Sequence, residues 1–139
     1  MILNLMSANY SDANRNQRLS IANFLMLVYH CGKTNNDLQK EILNNYLLCL
    51  KVNKQESASY LQAHNVDRMF MDLRSLDMQQ KTFLIILSHT MLNTERKPFE
   101  EELQFVSTAF KKIGVSEEDY EYNVFMTSFS ERFLNSKLK

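Results

Sequence analysis

The sequence predicts an all-α protein, a compact bundle of about seven helices formed from two similar helical halves. Three observations predict it. Only 2 glycines and 1 proline occur in 139 residues, and the Asn-Gly, Asp-Gly and Gly-Gly pairs that tight β-hairpins need are absent. Apolar residues recur at helical spacing along the chain. A Ser, Asn or Asp followed three residues later by an acid or amide, the mark of a capped helix start, recurs at Asn53/Glu56, Asp77/Gln80 and Ser116/Asp119.

The elements follow in order. Ser11 or Asp12 is expected to cap a first helix that runs to about His30, carries Ile21, Phe24, Leu25, Leu27 and Val28, and stops at Gly32. Asn35 or Asn36 is expected to cap the second, in which Leu38, Ile42, Leu43, Tyr46, Leu47 and Leu50 form a broad apolar stripe. The box at Asn53 opens a third helix ending near Ala63. A short fourth starts at Asn65 or Asp67 and carries Met69, Phe70 and Leu73. The box at Asp77 opens a fifth through Phe83, Leu84, Ile86, Leu87 and Met91.

Pro98 suits the first turn of the sixth helix, where its missing N–H costs nothing. That helix is expected to bury Phe99, Leu103, Phe105, Val106, Phe110 and Ile113, and to end at Gly114, where a positive φ is cheap. The last helix starts behind Ser116 and runs through Tyr120, Val124, Phe125 and Phe129 towards Leu134, with the polar tail 135–139 fraying.

Composition excludes several classes of function. The chain carries 16 basic and 16 acidic residues, so it lacks the basic excess that phosphate contacts demand, and no nucleic acid is expected as a partner. The strongest apolar run after the start of the chain, Phe83–Leu87, is far too short to span a membrane. The apolar start at Met1–Met6 lacks the basic flank and cleavage site of a secretory signal, so a cytoplasmic location is expected. Cys31 and Cys49 have no CxxC spacing and read as buried free thiols in a reducing compartment.

A shift of 63 residues lays Ile42, Leu43, Leu47, Leu50 and Val52 on Phe105, Val106, Phe110, Ile113 and Val115, and Asn53-x-x-Glu56 on Ser116-x-x-Asp119. The chain therefore reads as one domain, 1–139, with similar halves at about 12–63 and 66–134. In this pattern it resembles the TerB-like (tellurite-resistance TerB) domain family, most closely over Asp77–Tyr120. Thr94-Glu95-Arg96-Lys97-Pro98 stands in the place of that family's acidic loop, Glu102-Leu103 at its downstream acid, and Ile113-Gly114-Val115 at its small break. In the first half His30-Cys31-Gly32-Lys33 stands in the loop, and Gln39 or Glu41 at the downstream acid.

The resemblance implies an all-α fold of two similar halves and protein–protein contact, in a stress response. It also implies divalent-metal binding, since hard cations want converging carboxylate oxygens. Glu95 and Glu102 are the two metal candidates. Against them, Glu100, Glu101 and Glu102 fall in a helix's first turn, where acids offset the positive dipole end without any ligand. Cys31 in the other loop offers a hard ion little.

His30, His64 and His89 lack HxxxH or HExxH spacing. With Gly32 and Gly114 as the only glycines, neither a nucleophile elbow nor a phosphate-cradling loop can be written. No catalytic or cofactor-binding residue is expected. Met126, Phe129 and Phe133 share one face of the last helix, with Tyr122 and Phe125 partly on it, an apolar arc wide enough to meet a protein partner or a second copy. The sequence therefore favours a non-enzymatic binding or scaffold module, with a divalent-metal module and an enzyme of unrecognised type as the alternatives.

Overall fold

The computed structural model describes residues 2–32, 36–94 and 97–138, with side chains as far as Thr127. Asn35, Glu95 and the side chains of Phe129, Phe133 and Leu134 lie outside this description. Among the described residues the protein is all-α: α1 (Ile2–Asn9), α2 (Arg15–His30), α3 (Asp37–Leu50), α4 (Lys54–His64), α5 (Val66–Arg74), α6 (Met78–Leu92), α7 (Glu100–Ile113) and α8 (Glu117–Leu138). None of these helices is long and apolar enough to cross a membrane.

The helix beyond the expected seven is α1. It has no acid in its first turn and no base in its last, so nothing in its sequence announces a helix; burial of Met6 against the rest of the molecule holds it. It also shortens α2. The expected caps, Ser11 and Asp12, belong instead to the turn between α1 and α2. There the Arg18 guanidinium gathers the carbonyls of Tyr10, Ser11 and Ala13. Asp12 accepts a hydrogen bond from Gln80 Nε2 at 3.0 Å. Asn14 caps α2 in their place: its side chain accepts from the Gln17 N–H at 2.8 Å, and the Gln17 side chain accepts from the Asn14 N–H at 2.9 Å.

The other boundaries follow the same chemistry. Asn36, Asn53 and Asp77 each form a reciprocal box with Gln39, Glu56 and Gln80. Asn65, at φ 79°, both closes α4 and caps α5. Pro98 stands one residue before the cap of α7, Phe99, rather than within its first turn. The backbone of α8 stays helical to Leu138, past the point where fraying was expected.

A shift of 63 residues carries the bounds of α3 onto those of α7 at both ends, and the caps Asn14 and Asp77 onto each other. Lys51 and Gly114, 63 apart, both close their helices in the left-handed region. In each case the following valine N–H reaches back to the helix, Val52 to the Leu47 carbonyl at 3.2 Å and Val115 to the Phe110 carbonyl at 3.0 Å. Met6 of α1 and Met69 of α5 match likewise, and both are buried. The packing repeats too: α1 lies on α3 as α5 on α7, α2 on α4 as α6 on α8, and α2 on α5 as α6 on α1, with α2 and α6 crossing each other at the centre.

One core runs through both sets of four helices. Phe24 of α2 meets Phe110 of α7 edge to face at 5.2 Å, and the Tyr46 hydroxyl donates to the Leu87 carbonyl at 3.0 Å. Each fully buried leucine or phenylalanine contributes about 1.5–3 kcal/mol. Not every expected core residue is inside. Leu38, Phe99, Leu103 and Phe105 are exposed, because the apolar arcs of α3 and α7 are wider than the surfaces they bury. On α7 only Val106, Ala109, Phe110 and Ile113 join Glu102 in facing inward.

Candidate functional site

Of the two expected metal-binding carboxylates, Glu95 lies outside the described residues. Glu102 is buried, and its Oε1 accepts the Phe99 N–H at 2.8 Å, closing the first turn of α7. The 63-residue register pairs Glu102 with Gln39 rather than Glu41; Gln39 is likewise buried and performs the same capping for α3. Among the described residues no group of three His, Cys, Asp or Glu side chains converges as a metal would require. Cys31 and Cys49 are not joined in a disulfide and are half-buried rather than buried, and the Cys31 thiol donates to the Val28 carbonyl at 2.9 Å. The His30 ring packs on Tyr29 and that of His64 on Tyr60.

The structure brings other residues together. The box at Asp77 sets the phase of α6 so that His89 in its last turn points inward. Gly114 at φ 95° then ends α7, and Ser116 caps α8 through a bond from the Asp119 N–H at 3.1 Å. This sharp reversal returns Tyr120 to α6. His89 Nε2 and the Tyr120 hydroxyl lie 2.7 Å apart and both residues are buried. Burial pushes the imidazole down to about 4 and the phenol up, so both groups are neutral at neutral pH. The Tyr120 ring continues against Phe110 at 5.6 Å.

Above this pair opens a cleft of about 780 Å³ between α6, α7 and α8. Leu103, Val124, Phe125 and Pro98 form its apolar walls; Asn93, Gln104 and Ser107 supply neutral polar groups; Lys97, Glu100 and Glu121 stand among the lining residues with charge. A second groove, about 620 Å³, lies on the other side of α7, between Phe105 and the α5 residues Val66 and Phe70. Gln104 lines both, so α7 is a ridge between two grooves. Lys112 Nζ sits 5.4 Å from the Phe70 ring centre.

Several of the large apolar side chains that stay exposed belong to α7, to α8 and to the residue before α7, and others, Leu48 and Met71 among them, lie elsewhere on the surface. Phe125 is 65% exposed and Tyr122 62%, with Phe99, Leu103, Phe105 and Met126 each above a third. The titratable pair at the floor bonds to itself, and both members are held neutral.

A second buried polar cluster ties the first half to α5. The Asp72 carboxylate accepts from the Ser20 hydroxyl at 2.7 Å, the Tyr60 hydroxyl at 2.6 Å and Arg68 Nε at 3.2 Å. It joins α2, α4 and α5 and reads as internal structure. Neither His89–Tyr120 nor Asp72–Tyr60 carries a spacing signal in the sequence; the packing of one helix on another creates them, α6 on α8 for the first and the consecutive α4 and α5 for the second. No known family, curated protein or solved structure matches this chain.

Proposed function

We propose that this chain is a non-enzymatic helical binding module, of TerB-like type, that engages a protein partner on the α7–α8 face. The observation that carries the reading is the exposure of Leu103 and Phe125 in the walls of the cleft above His89 and Tyr120, with Phe105 exposed at the second groove on the other side of α7. Aromatic residues and methionine are the types enriched where one protein buries its surface against another. The two sets of four helices in a 63-residue register add support from the side of the resemblance, whose implied architecture is two similar halves.

Site-directed photocrosslinking tests it. A photoreactive phenylalanine analogue at position 125 is expected to yield a discrete adduct in cells, either with another protein or at twice the chain's mass. The same analogue at Lys54, on α4, is expected to yield none. Adducts absent at 125, or equal at both positions, defeat the proposal.

A further inference from the structure

We infer that the joint between α4 and α5 is a hinge through which two copies of the chain exchange halves, α1–α4 of one copy packing on α5–α8 of the other. The α7–α8 face takes no part in this exchange.

The joint is the first observation. Asn65 alone separates α4 from α5, and it stands at φ 79° and ψ 173°. Lys51, at φ 60° and ψ 39°, lies in the ordinary left-handed region of a helix end. Asn65 instead combines positive φ with extended ψ, a region open in practice to glycine alone, so its backbone is strained. Its side chain accepts from the Arg68 N–H at 3.1 Å, and this cap helps to hold the bend. Straightening removes both the strain and the need for the cap. No glycine or proline lies between Lys54 and Arg74. A single helix through Asn65 pairs the N–H groups of 66–68 with the carbonyls of 62–64.

The contacts between the halves are the second observation. They come in reciprocal pairs: α1 lies on α6 as α5 lies on α2, and α3 on α6 as α7 on α2, with α2 on α6 at the centre. Such reciprocity is that of an isologous interface between two subunits. Phe24 on Phe110, the Tyr10 hydroxyl on the Gln80 carbonyl and Ser20 on Asp72 all join one half to the other. None of them depends on how the chain runs between α4 and α5. Exchange re-forms each between copies, the Tyr60–Asp72 bond included, and changes the conformation of the joint. A short strained joint between halves that meet in this way is where exchange costs least.

The test uses the full chain with Cys31→Ser and Cys49→Ser as background. Gln17→Cys and Ser75→Cys form a reporter pair, placed where the two side chains meet at 2.9 Å across the halves. A short bis-maleimide joins the pair within one chain in the bent form and between two chains in the exchanged form. The protein is refolded from urea at about 500 µM or about 5 µM and crosslinked at the lower concentration. An adduct at twice the chain's mass is expected to be at least about fivefold more abundant after the concentrated refolding. Asn65→Ala, which favours the straight helix and lacks the cap, is expected to raise that dimer about threefold or more. Asn65→Gly, which holds the bend without strain, is expected to lower it by as much. Phe125→Asp is expected to leave it unchanged. Light scattering gives the mass of the dimer independently.

A chain that stays monomeric by light scattering at both concentrations overturns the inference. So do crosslinks confined to one chain, or a dimer equally abundant in Asn65→Ala and Asn65→Gly. A dimer that Phe125→Asp abolishes also overturns it, because the contact between copies is then on the α7–α8 face.

Discussion

His89 Nε2 and the Tyr120 hydroxyl, 31 residues apart in the chain, meet at 2.7 Å and tie the end of α6 to the start of α8. The burial of His89 has a consequence for stability against pH. The folded-state pKa of His89 is lowered to about 4 by burial, from an ordinary 6.5. Its contribution is complete above pH 6.5, where the imidazole is neutral in both states. As pH falls from 6.5 towards 4, the unfolded chain takes up the proton first, and that stability is lost. At pH 5 the loss is about 2 kcal/mol. Urea unfolding at pH 7.5 and pH 5 is expected to show this drop in the wild type and a drop smaller by that amount in His89→Gln, the carboxylates being common to both. Equal drops would remove the assignment.

Asp72 is the acceptor for Ser20, Tyr60 and Arg68. Removing the carboxylate strands the buried Ser20 hydroxyl and takes the acceptor from the half-buried Tyr60 hydroxyl, so Asp72→Ala is expected to lose about 2 kcal/mol in chemical denaturation. Tyr60→Phe, which deletes only one donor, is expected to lose about 1 kcal/mol. A larger loss for Tyr60→Phe than for Asp72→Ala runs against this account of the junction.

The two matched helix ends differ in side chain but not in backbone. Lys51 holds φ 60° with a Cβ, and Gly114 holds φ 95° without one. Lys51→Gly is therefore expected to raise the melting temperature, by about 0.5–1 kcal/mol in stability, and Gly114→Ala to lower it by about 1 kcal/mol. A Cβ at 114 would meet Lys81 Nζ at 3.5 Å, an ordinary contact, so the cost there is one of backbone conformation.

Glu102 closes the first turn of α7 through the Phe99 N–H. Glu102→Gln keeps a carbonyl acceptor in the same place and is expected to unfold at nearly the wild-type urea concentration, whereas Glu102→Ala loses about 1 kcal/mol or more. If Glu102 has a metal to hold as well, calorimetry with Ca²⁺, Mg²⁺ or Zn²⁺ will give heat in the wild type that Glu102→Gln abolishes. Heat that survives Glu102→Gln removes Glu102 from any such site.

Much of the architecture was legible without coordinates, because helix boundaries are local chemistry. The boxes at Asn53 and Asp77 need only a side chain and a backbone N–H three residues on, and both form as read. Gly114 ends α7 for an equally local reason. The register of 63 was legible from five apolar pairs and one pair of caps, and the coinciding bounds of α3 and α7 extend it. Where boundaries were misread, a distant partner had intervened: Asp12 caps nothing because Gln80, 68 residues away, holds its carboxylate.

Tertiary structure alone decided what the apolar residues do. Periodicity marked Phe99, Leu103 and Phe105 as inward-facing by the same rule that marked Phe110, since it reports an apolar arc and not how much of that arc meets another helix. Packing covers Phe110 with Phe24 and leaves the other three at the surface. Packing likewise makes His89 and Tyr120 a pair and opens the cleft above them. The sequence by itself determined seven of the eight described helices; their mutual placement determined which apolar side chains stay at the surface, because exposure belongs to the assembled bundle and to no single helix.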